Sequence, residues 1–458
     1  MALVGASRCG GKEAPIVTVG DPNDPLFASV LAYIEHDMGH NAIPGGAVAI
    51  VLNGKLAFAA GLGTKQRGMS DPVTPSTLFR VASMSKMVLS AAAMKLVEER
   101  KLDVSQPVTS YVPFPLQAGF DPSTITVQNL LTHTSGIPDI GVASTICPVG
   151  PGQSAAWYAT HTPLPLWSPP NAVWDYSNQG FSVAGWIIEQ VSGQSFEDAV
   201  GSRVFGPAGM TTATYDTVAA TAGDHALGQT TSESYQPDAY DCAITRPPAG
   251  VIASVIDYAH FAETLLASGG TMLSPASVTA METTHVDTDQ LPEGQEGYGY
   301  GLDVIDGYKG QHVLSHTGED LGYRSAFVMV PTSGFAAVVF YNSESRNAIH
   351  AAERALDTFL GLLDVPAPVY TTPASTWGKY AGQYLDPIVI GPIEVDFDGS
   401  SLTWSAPNFA IDHMPLVQSA GDAFTTTVNG ASGTVTFYPG ADGSPQWFVT
   451  RDGVGARQ

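Results

Sequence analysis

The segment Arg80–Lys86 stands directly before a run of apolar residues, and this arrangement constrains the fold more than any other feature of the chain. The apolar positions of the run are Leu89, Ala92, Ala93, Leu96 and Val97, followed by four charged residues. Their spacing predicts a buried helix that ends at the charges. Ser83 and Lys86 are three residues apart, so a helix beginning here places a hydroxyl and an amine on one face, one turn apart. Backbone N–H groups at the helix start also favour a developing negative charge beside Ser83.

Strand patterns lie on both sides of this helix. Gly45–Leu52 and Lys55–Ala60 flank Asn53-Gly54, a dipeptide typical of hairpin turns. Further strands are predicted at 302–305, 325–331 and 335–341, and further helices at 25–40, 126–131, 181–191, 254–266 and 347–363. This order predicts an α+β domain whose antiparallel sheet takes strands from both ends of the domain.

The sequence pattern changes after the Pro-rich stretch Val365–Pro368, which is typical of a linker. Short alternating strands follow, at 393–397, 402–405, 424–428, 434–438 and 447–450. They predict a small all-β barrel. We therefore divide the chain into an N-terminal tail (1–21), a catalytic domain (22–364), a linker (365–369) and a β domain (370–458).

Composition excludes several partners. The 458 residues include 19 basic and 43 acidic ones, giving a formal charge of −24. Such a surface repels nucleic acid and anionic membranes, and no apolar run reaches the ~18 residues that a membrane-spanning helix needs. The chain has no His-Glu-x-x-His and no Cys-x-x-Cys motif, so we predict neither a metal site nor a cofactor.

The three cysteines are the basis for a prediction of the protein's cellular location. Cys9-Gly10-Gly11-Lys12 is similar to the end of a trimmed bacterial lipoprotein leader, and the alternative is a disordered tail. Cys147 and Cys242 lie in Gly/Pro-rich segments, where they form either one disulfide or two buried thiols. We expect an exported protein (periplasmic, secreted or lipoprotein-anchored), with a cytoplasmic location left open.

Two further motifs follow Ser-x-x-Lys in the chain. Tyr176-Ser177-Asn178 comes 93 residues after Ser83, and His316-Thr317-Gly318 comes 233 residues after it. Alone, such a tyrosine is more often a packing residue and such a histidine a structural one. In this order and spacing, the three motifs match the three-box pattern of the penicillin-recognising serine enzymes.

Residues 22–364 resemble the class C β-lactamase and D,D-peptidase family, which includes D-aminopeptidases, β-lactamase-like esterases and penicillin-binding-protein-type thioesterases. The segments Leu130–Pro138, Lys101–Val108 and Pro248–Ser254 also resemble this family. The resemblance implies a β-lactamase-like domain, with an antiparallel sheet flanked by helices and an all-helical subdomain. The C-terminal module is more loosely similar to the lipocalin-like domain of some relatives.

The resemblance implies a role for each box residue. Ser83 is the expected nucleophile that forms an acyl-enzyme. Lys86 and Tyr176 are both candidates for the base that takes its proton, and the sequence leaves the choice open. Asn178 is expected to bond Lys86 and to meet the substrate amide. The backbone N–H groups of Ser83 and Glu319 are the expected oxyanion hole.

The third box departs from that of true class C β-lactamases, which carry lysine where this chain has His316. With Thr317 and Gly318 it forms the expected substrate-binding edge, but histidine binds a carboxylate less firmly than lysine does. Relatives with histidine here include D,D-peptidases, D-aminopeptidases and D-amidases. Arg324 is either a carboxylate-binding cation or a surface residue.

We therefore expect a serine hydrolase that acts on peptides or amides containing D-amino acids, with hydrolysis or acyl transfer to an amine left open. A carboxylesterase or lactonase on the same machinery is the first alternative. A weak β-lactamase, or a penicillin-binding sensor that does not turn over, is the second. The expected partner is a small-molecule or peptide substrate, and the sequence leaves the oligomeric state open.

Overall fold

The structure, a computed structural model, describes residues 16–113, 121–139, 166–230, 233–235, 244–288, 296–362, 372–428 and 430–458. They form a mixed helix-and-sheet domain followed by a closed antiparallel barrel, as the sequence predicted. Cys9, Cys147, Cys242 and the linker at 365–369 lie outside the described residues. No helix among the described residues is long and apolar enough to span a membrane.

The first domain is built on an antiparallel sheet of nine described strands. In sheet order they are Ile16–Val19, Lys55–Gly63, Gly45–Leu52, Phe335–Tyr341, Tyr323–Val330, Gln311–Asp320, Asp303–Tyr308, Glu296–Tyr298 and Val286–Asp287. Strands from the two ends of the domain pair at the centre, where Val48 lies opposite Val339. The expected hairpin turn is present, because Asn53 and Gly54 both have positive φ, 52° and 70°. Ile16–Val19 corrects the predicted tail, since this strand pairs with Lys55–Gly63.

The α-helices of the described residues are Pro25–His40, Ser85–Glu98, Val127–Leu131, Asn178–Ser192, Phe196–Val200, Gly206–Ala208, Thr217–Ala222, Arg246–Ala249, Val255–Leu266, Pro275–Glu282 and Ile349–Leu360. Pro25–His40 and Ile349–Leu360 pack against each other on one face of the sheet. Ser85–Glu98 lies within the main core on the other face, and Met87, Val88 and Leu89 are completely buried. The buried helix predicted after Ser-x-x-Lys is therefore confirmed.

The strand Gln311–Asp320 carries the third box, and the sequence pattern did not predict it. Its residues mix His, Ser, Thr, Glu and Asp with only two aliphatic side chains, Val313 and Leu314. This mixture hides the alternation on which strand prediction depends. The strand forms because neighbours on both sides pair with it, Tyr323–Val330 along most of its length and Asp303–Tyr308 along its first half.

The C-terminal barrel has eight strands: Gly382–Asp386, Gly391–Phe397, Leu402–Ala406, Ile411–Ala420, Ala423–Val428, Ala431–Pro439, Pro445–Thr450 and Gly453–Arg457. Five of them were predicted. Gly382–Asp386, Ile411–Ala420 and Gly453–Arg457 were missed, because glycines or an internal proline weaken their strand signal.

Direct contacts hold the barrel against the catalytic domain. Trp167 and Val173 of the first domain share an apolar cluster with Tyr438 and Trp447 of the barrel. Trp167 Nε1 also donates to the fully buried carboxylate of Asp386, at 3.1 Å. With the barrel docked in this way, residues of the three boxes and residues of the barrel line one cavity.

Candidate active site

Ser83 lies in a single 3-10 turn, Ala82–Met84, immediately before the helix Ser85–Glu98. Ala82 has φ 49°, a left-handed conformation that costs an alanine of the order of 1–2 kcal/mol. Gly318 of the third box packs against this turn so closely that a Cβ there would lie 2.1 Å from the carbonyl oxygen of Val81. The Ala82–Met84 turn and the third-box strand are therefore fixed to each other by backbone contact.

Lys86 is completely buried and its amine has three oxygen neighbours. Nζ lies 3.1 Å from Ser83 Oγ, 2.6 Å from Asn178 Oδ1 and 3.1 Å from the carbonyl oxygen of Pro248. The two latter oxygens can only accept hydrogen bonds. A neutral amine that donates to both therefore directs its lone pair towards the Ser83 hydroxyl.

Burial lowers the pKa of Lys86 well below its usual value, and the charge of Arg451 acts in the same direction. The carboxylate of Asp139 opposes this shift. Desolvation disfavours the ammonium form of a buried lysine. The site thus favours the neutral amine, the form that can take a proton from Ser83.

Tyr176 contacts both Ser83 and Lys86. Its hydroxyl forms a hydrogen bond with the Ser83 side chain, and its ring centroid lies 4.7 Å from Lys86 Nζ. Burial raises the pKa of Tyr176, although the Ser83 hydrogen bond and the charge of Arg451 oppose the shift. The phenol is therefore protonated, which suits a group that passes a proton on.

Asn178 begins the helix Asn178–Ser192 and joins Lys86 to a carboxylate that sequence reasoning missed. Its Oδ1 accepts from Lys86, while its Nδ2 donates to Asp139 Oδ2 at 3.1 Å. The backbone N–H of Asn178 donates to Asp139 Oδ1, also at 3.1 Å. Asp139 directly follows the family-like segment Leu130–Pro138, and that position was the signal that could have found it.

Arg451, in the turn between the last two barrel strands, reaches into this network. Its Nη2 contacts Asp139 Oδ2 in an ion pair. Its guanidinium lies over the ring of Tyr176, with Cζ 5.1 Å from the centroid, and Nη1 is 3.4 Å from the Tyr176 carbonyl oxygen. Sequence reasoning also missed this residue.

His316 is buried and forms two hydrogen bonds that fix its tautomer. Nδ1 lies 2.6 Å from the carbonyl oxygen of Thr317, which can only accept, so Nδ1 carries the proton. Nε2 then accepts from the hydroxyl of Tyr298, at 3.0 Å. Burial lowers the pKa of His316 to about 3, and nearby Lys86 contributes to the shift. The third box therefore presents a neutral imidazole.

His133 packs against the second box and accepts a hydrogen bond from it. Its ring stacks on the Tyr176 ring with centroids 4.2 Å apart, and its Nδ1 accepts the backbone N–H of Ser177 at 2.9 Å. Burial, aided by Lys86, lowers the pKa of His133 well below its usual value. A neutral ring in this position packs against Tyr176 without adding a charge to the site.

The boxes open into a cavity of about 450 Å³. Its walls come from both domains: Ser83, Trp174, Asp175, Tyr176, Asn178, Glu296, Asp303, His316, Thr317 and Glu319 from the first, and Thr434, Thr436, Tyr438, Val449, Thr450 and Arg451 from the barrel. Ser83 and Glu319, the expected oxyanion-hole residues, thus face one space. Gly318 acts through its packing against Val81 and is not part of the wall.

Arg324 does not belong to the cavity wall. Its Nη1 donates to the carbonyl oxygens of Asp320 and Tyr323, at 3.0 and 2.8 Å, and its Nε lies 3.9 Å from the carboxylate of Glu319. A role for Arg324 in binding a substrate carboxylate stays a prediction. Arg451 is the arginine that the structure places in the wall.

Three carboxyl groups of the wall have no hydrogen bond or ion pair within the described part of the chain: Asp175, Glu296 and Asp303. Burial raises the pKa of Glu296 to about 7, with help from Asp287. Burial also raises the pKa of Asp303 to about 8, with help from Glu296. Asp175 is 5% exposed, and burial raises its pKa well above its usual value. The raised pKa values keep Asp175 and Asp303 protonated at neutral pH and Glu296 partly so, and the three groups therefore add little negative charge to the cavity there.

No group of three or more His, Cys, Asp or Glu side chains suited to a metal ion occurs among the described residues. The chemistry available to the site comes from a hydroxyl, an amine, a phenol and backbone N–H groups. This set is the one that acyl transfer through a serine requires.

Residues 30–361 match the family model described as Beta-lactamase. The chain is 26% identical over 418 residues to the unguisins hydrolase UngD' of Aspergillus campestris, covering 80% of this chain and 77% of that one. It is 31% identical to the putative penicillin-binding protein PbpX of Bacillus subtilis, over 58% of this chain and 64% of that one. Penicillin-binding protein 4 of Amycolatopsis lactamdurans is 27% identical, over 66% and 81%.

Solved structures share the whole architecture, including the barrel. The octameric penicillin-binding protein homologue from Pyrococcus abyssi superposes with a TM-score of 0.69 at 23% identity, covering 94% of this chain and 99% of that one. SurE with D-Leu superposes with a TM-score of 0.73 at 21% identity and the same coverage. At these identities, the two structures establish the fold alone.

Proposed function

This chain belongs to the β-lactamase family and is a serine hydrolase, and from that premise we propose that it cleaves amide bonds next to D-amino acids through an acyl-enzyme on Ser83. The observation that carries the proposal is the neutral third box beside an intact Ser83–Lys86–Tyr176 arrangement. The first supplies the substrate preference and the second supplies the reaction.

In the proposed acylation, Ser83 Oγ attacks the carbonyl carbon of the substrate while Lys86 Nζ takes the hydroxyl proton. Lys86 suits the base better than Tyr176, because burial lowers the pKa of the amine and raises the pKa of the phenol. A positioned general base contributes typically ~10²–10⁴-fold in rate. Asn178 holds the amine in place throughout, at 2.6 Å.

The negative charge that develops on the carbonyl oxygen is directed towards the backbone N–H groups of Ser83 and Glu319, which face the same cavity. When the C–N bond breaks, Tyr176 gives its proton to the leaving amine and recovers one from Lys86. Water then attacks the ester bond to Ser83, its proton returns through Lys86 to Ser83 Oγ, and the acid product leaves.

The substrate preference follows from charge. A penicillin carries a carboxylate near the reacting carbonyl, and the β-lactamase third box binds it with a lysine. Here His316 is neutral, so the third box offers no cation to a substrate carboxylate. A carboxylate beside the scissile bond thus gains no ion pair from the third box, whereas a neutral group does not need one.

Ester or lactone hydrolysis is the alternative function, because the same residues can catalyse it. An ester needs no proton delivered to nitrogen, so the Tyr176 hydroxyl would matter less for it than for an amide. Transfer of the acyl group to an amine is a variant of the first proposal, because a neutral amine can attack the same acyl-enzyme in place of water. The unguisins hydrolase of A. campestris, at 26% identity, supports hydrolysis over transfer.

The test is a substrate panel with purified protein: D- and L-alanine p-nitroanilide, a p-nitrophenyl ester and a chromogenic cephalosporin, each with and without an added amine. We expect the D-anilide to have the highest kcat/KM among the amides, and Ser83→Ala to abolish turnover of all four. Equal rates on the D- and L-anilides, or a cephalosporin rate above both, would contradict the proposed substrate class.

A further inference from the structure

The barrel contributes one cation to the catalytic network, and this cation is Arg451. The next arginine of the barrel, Arg457, bonds to the carbonyl oxygens of Lys379, Pro445 and Ala381 within the barrel itself. Arg451 instead contacts Asp139 and the ring and carbonyl of Tyr176, in the other domain. Its role thus concerns the catalytic domain and not the stability of the barrel.

The partner of Arg451 distinguishes this pair from an ordinary surface ion pair. The side chain of Arg451 is 54% exposed, but that of Asp139 is 5% exposed. Exposed pairs contribute little, whereas a buried carboxylate without a compensating charge is strongly unfavourable. Among the described residues, the other donors to Asp139 belong to Asn178, and they are neutral. Arg451 is therefore the charge that keeps an anion in place behind Asn178.

The contacts form an unbroken series from the barrel to the nucleophile. Arg451 bonds Asp139, Asp139 accepts both donors of Asn178, Asn178 Oδ1 accepts from Lys86, and Lys86 Nζ meets Ser83 Oγ. Because a carboxylate only accepts, it forces the amide of Asn178 to turn its oxygen to Lys86. The series fixes the direction in which the lone pair of Lys86 points.

We propose that Arg451 is a positioning residue of the reaction, which holds Asp139 and through it the Asn178 amide and the Lys86 amine, so that the catalytic site is complete only with the barrel in place. This inference rests on the acylation of Ser83 set out under the proposed function. It does not depend on which substrate is cleaved.

The charge of Arg451 also changes the pKa of Lys86, the proposed base, in a defined direction. Arg451 lowers the pKa of Lys86 and of Tyr176, and Asp139 raises both. The other titratable groups around these two residues are His133, His316, Tyr298 and Asp303. Removing Arg451 leaves Asp139 unopposed, so Lys86 keeps its proton to a higher pH. Removing the charge of Asp139 has the opposite effect.

The experiment measures the rate at which a neutral fluorophosphonate labels Ser83, from pH 5 to pH 9, in full-length protein. The variants are Arg451→Met, Arg451→Lys and Asp139→Asn. Lys379→Met is the matched control, because it removes a barrel cation that pairs with Asp422 at 2.9 Å, away from the cavity. Melting temperatures establish that each variant is folded.

We expect Arg451→Met to lower the neutral-pH labelling rate by about tenfold and to move the rising limb up by about one pH unit. Asp139→Asn should move the limb down, Arg451→Lys should recover part of the loss, and Lys379→Met should match the wild type. A limb that stays within about 0.2 unit in both Arg451→Met and Asp139→Asn, or moves the same way in both, would overturn the inference. Failure of the wild type to label at Ser83 would instead refute the proposed function.

Discussion

The hydroxyl of Tyr298 lies 3.0 Å from Nε2 of His316 and donates a hydrogen bond to it. Tyr298 is placed by the strand Glu296–Tyr298, which pairs with Asp303–Tyr308, which in turn pairs with the third-box strand. The histidine thus owes its tautomer to its hydrogen bonds with Tyr298 and Thr317, and its neutrality to burial, to which nearby Lys86 contributes. Burial therefore makes the third box a neutral surface, and the Tyr298 hydroxyl fixes which imidazole nitrogen accepts.

Removal of the Tyr298 hydroxyl tests this relationship. We expect Tyr298→Phe to lower kcat/KM for the D-anilide by about five- to tenfold, because a hydrogen bond to a buried group is worth about 1–1.5 kcal/mol. Tyr300→Phe is the matched control, since the Tyr300 hydroxyl has no hydrogen bond within the described residues. Equal losses in both variants would show that bulk packing, and not the bond to His316, is responsible.

A lysine in the third box should bring back affinity for a carboxylate. We expect His316→Lys to raise the rate of acylation by benzylpenicillin by about tenfold, and to leave that by a neutral D-amide unchanged or lower. His312→Lys introduces the same group on the same strand, on a side chain that is 38% exposed. A gain in both variants would point to general charge attraction, and no gain in either would refute the substrate argument.

Much of this site is readable from the sequence, because each box is a short local pattern. Ser83 and Lys86 are one turn apart in the chain, and the structure brings them within 3.1 Å. Asp139, Tyr298 and Arg451 carried no such pattern. Arg451 is 275 residues from Tyr176 and belongs to another domain, so only the docking of the barrel brings it near.

In the fold, too, elements with a local sequence signal were predicted and elements that depend on tertiary pairing were not. The hairpin at Asn53-Gly54 and the helix after Lys86 follow from local signals, and both were predicted. The strand Gln311–Asp320 was not, because its polar residues are stabilised by pairing with strands before and after it in the chain. Tertiary pairing overrides strand propensity in such a segment.

Asp303 and Glu296 should make stability fall as the pH rises. Burial raises the pKa of Asp303 from 3.8 to about 8 and the pKa of Glu296 from 4.5 to about 7. Between the unfolded and the folded pKa of each group, the folded state holds a proton that the unfolded state has lost. The contribution of this proton to the free energy of unfolding is present at low pH and disappears as the pH rises through this window.

The measurement for this effect is the melting temperature at pH 5 and at pH 9. We expect the melting temperature of Asp303→Asn, relative to that of the wild type, to be higher at pH 9 than at pH 5 by about 2 °C or more, because a neutral amide has no proton to lose. Glu394→Gln, which removes an exposed carboxylate of the barrel, is the control and should show no such gain. A parallel pH profile for Asp303→Asn and the wild type would refute the assignment.

The close approach of Gly318 to Val81, next to the Ala82–Met84 turn, predicts a severe effect of one methyl group. A Cβ at Gly318 would lie 2.1 Å from the Val81 carbonyl oxygen and 2.2 Å from Ser325 Oγ. We expect Gly318→Ala to destabilise the protein by about 1–3 kcal/mol and to slow labelling of Ser83 by about a hundredfold or more. Gly433→Ala, on a barrel strand where nothing lies within 4 Å of the added Cβ, should change neither quantity.

The identity of the nucleophile is the claim on which the rest depends, and peptide mapping after fluorophosphonate labelling tests it most directly. Ser90→Ala is the matched control for Ser83→Ala, because Ser90 is buried on the helix that follows the Ser83 turn and its hydroxyl has no hydrogen-bond partner among the described residues. We predict one added label on Ser83 in the wild type and in Ser90→Ala, and none in Ser83→Ala. A label on any other residue, or full labelling of a folded Ser83→Ala protein, would contradict the account.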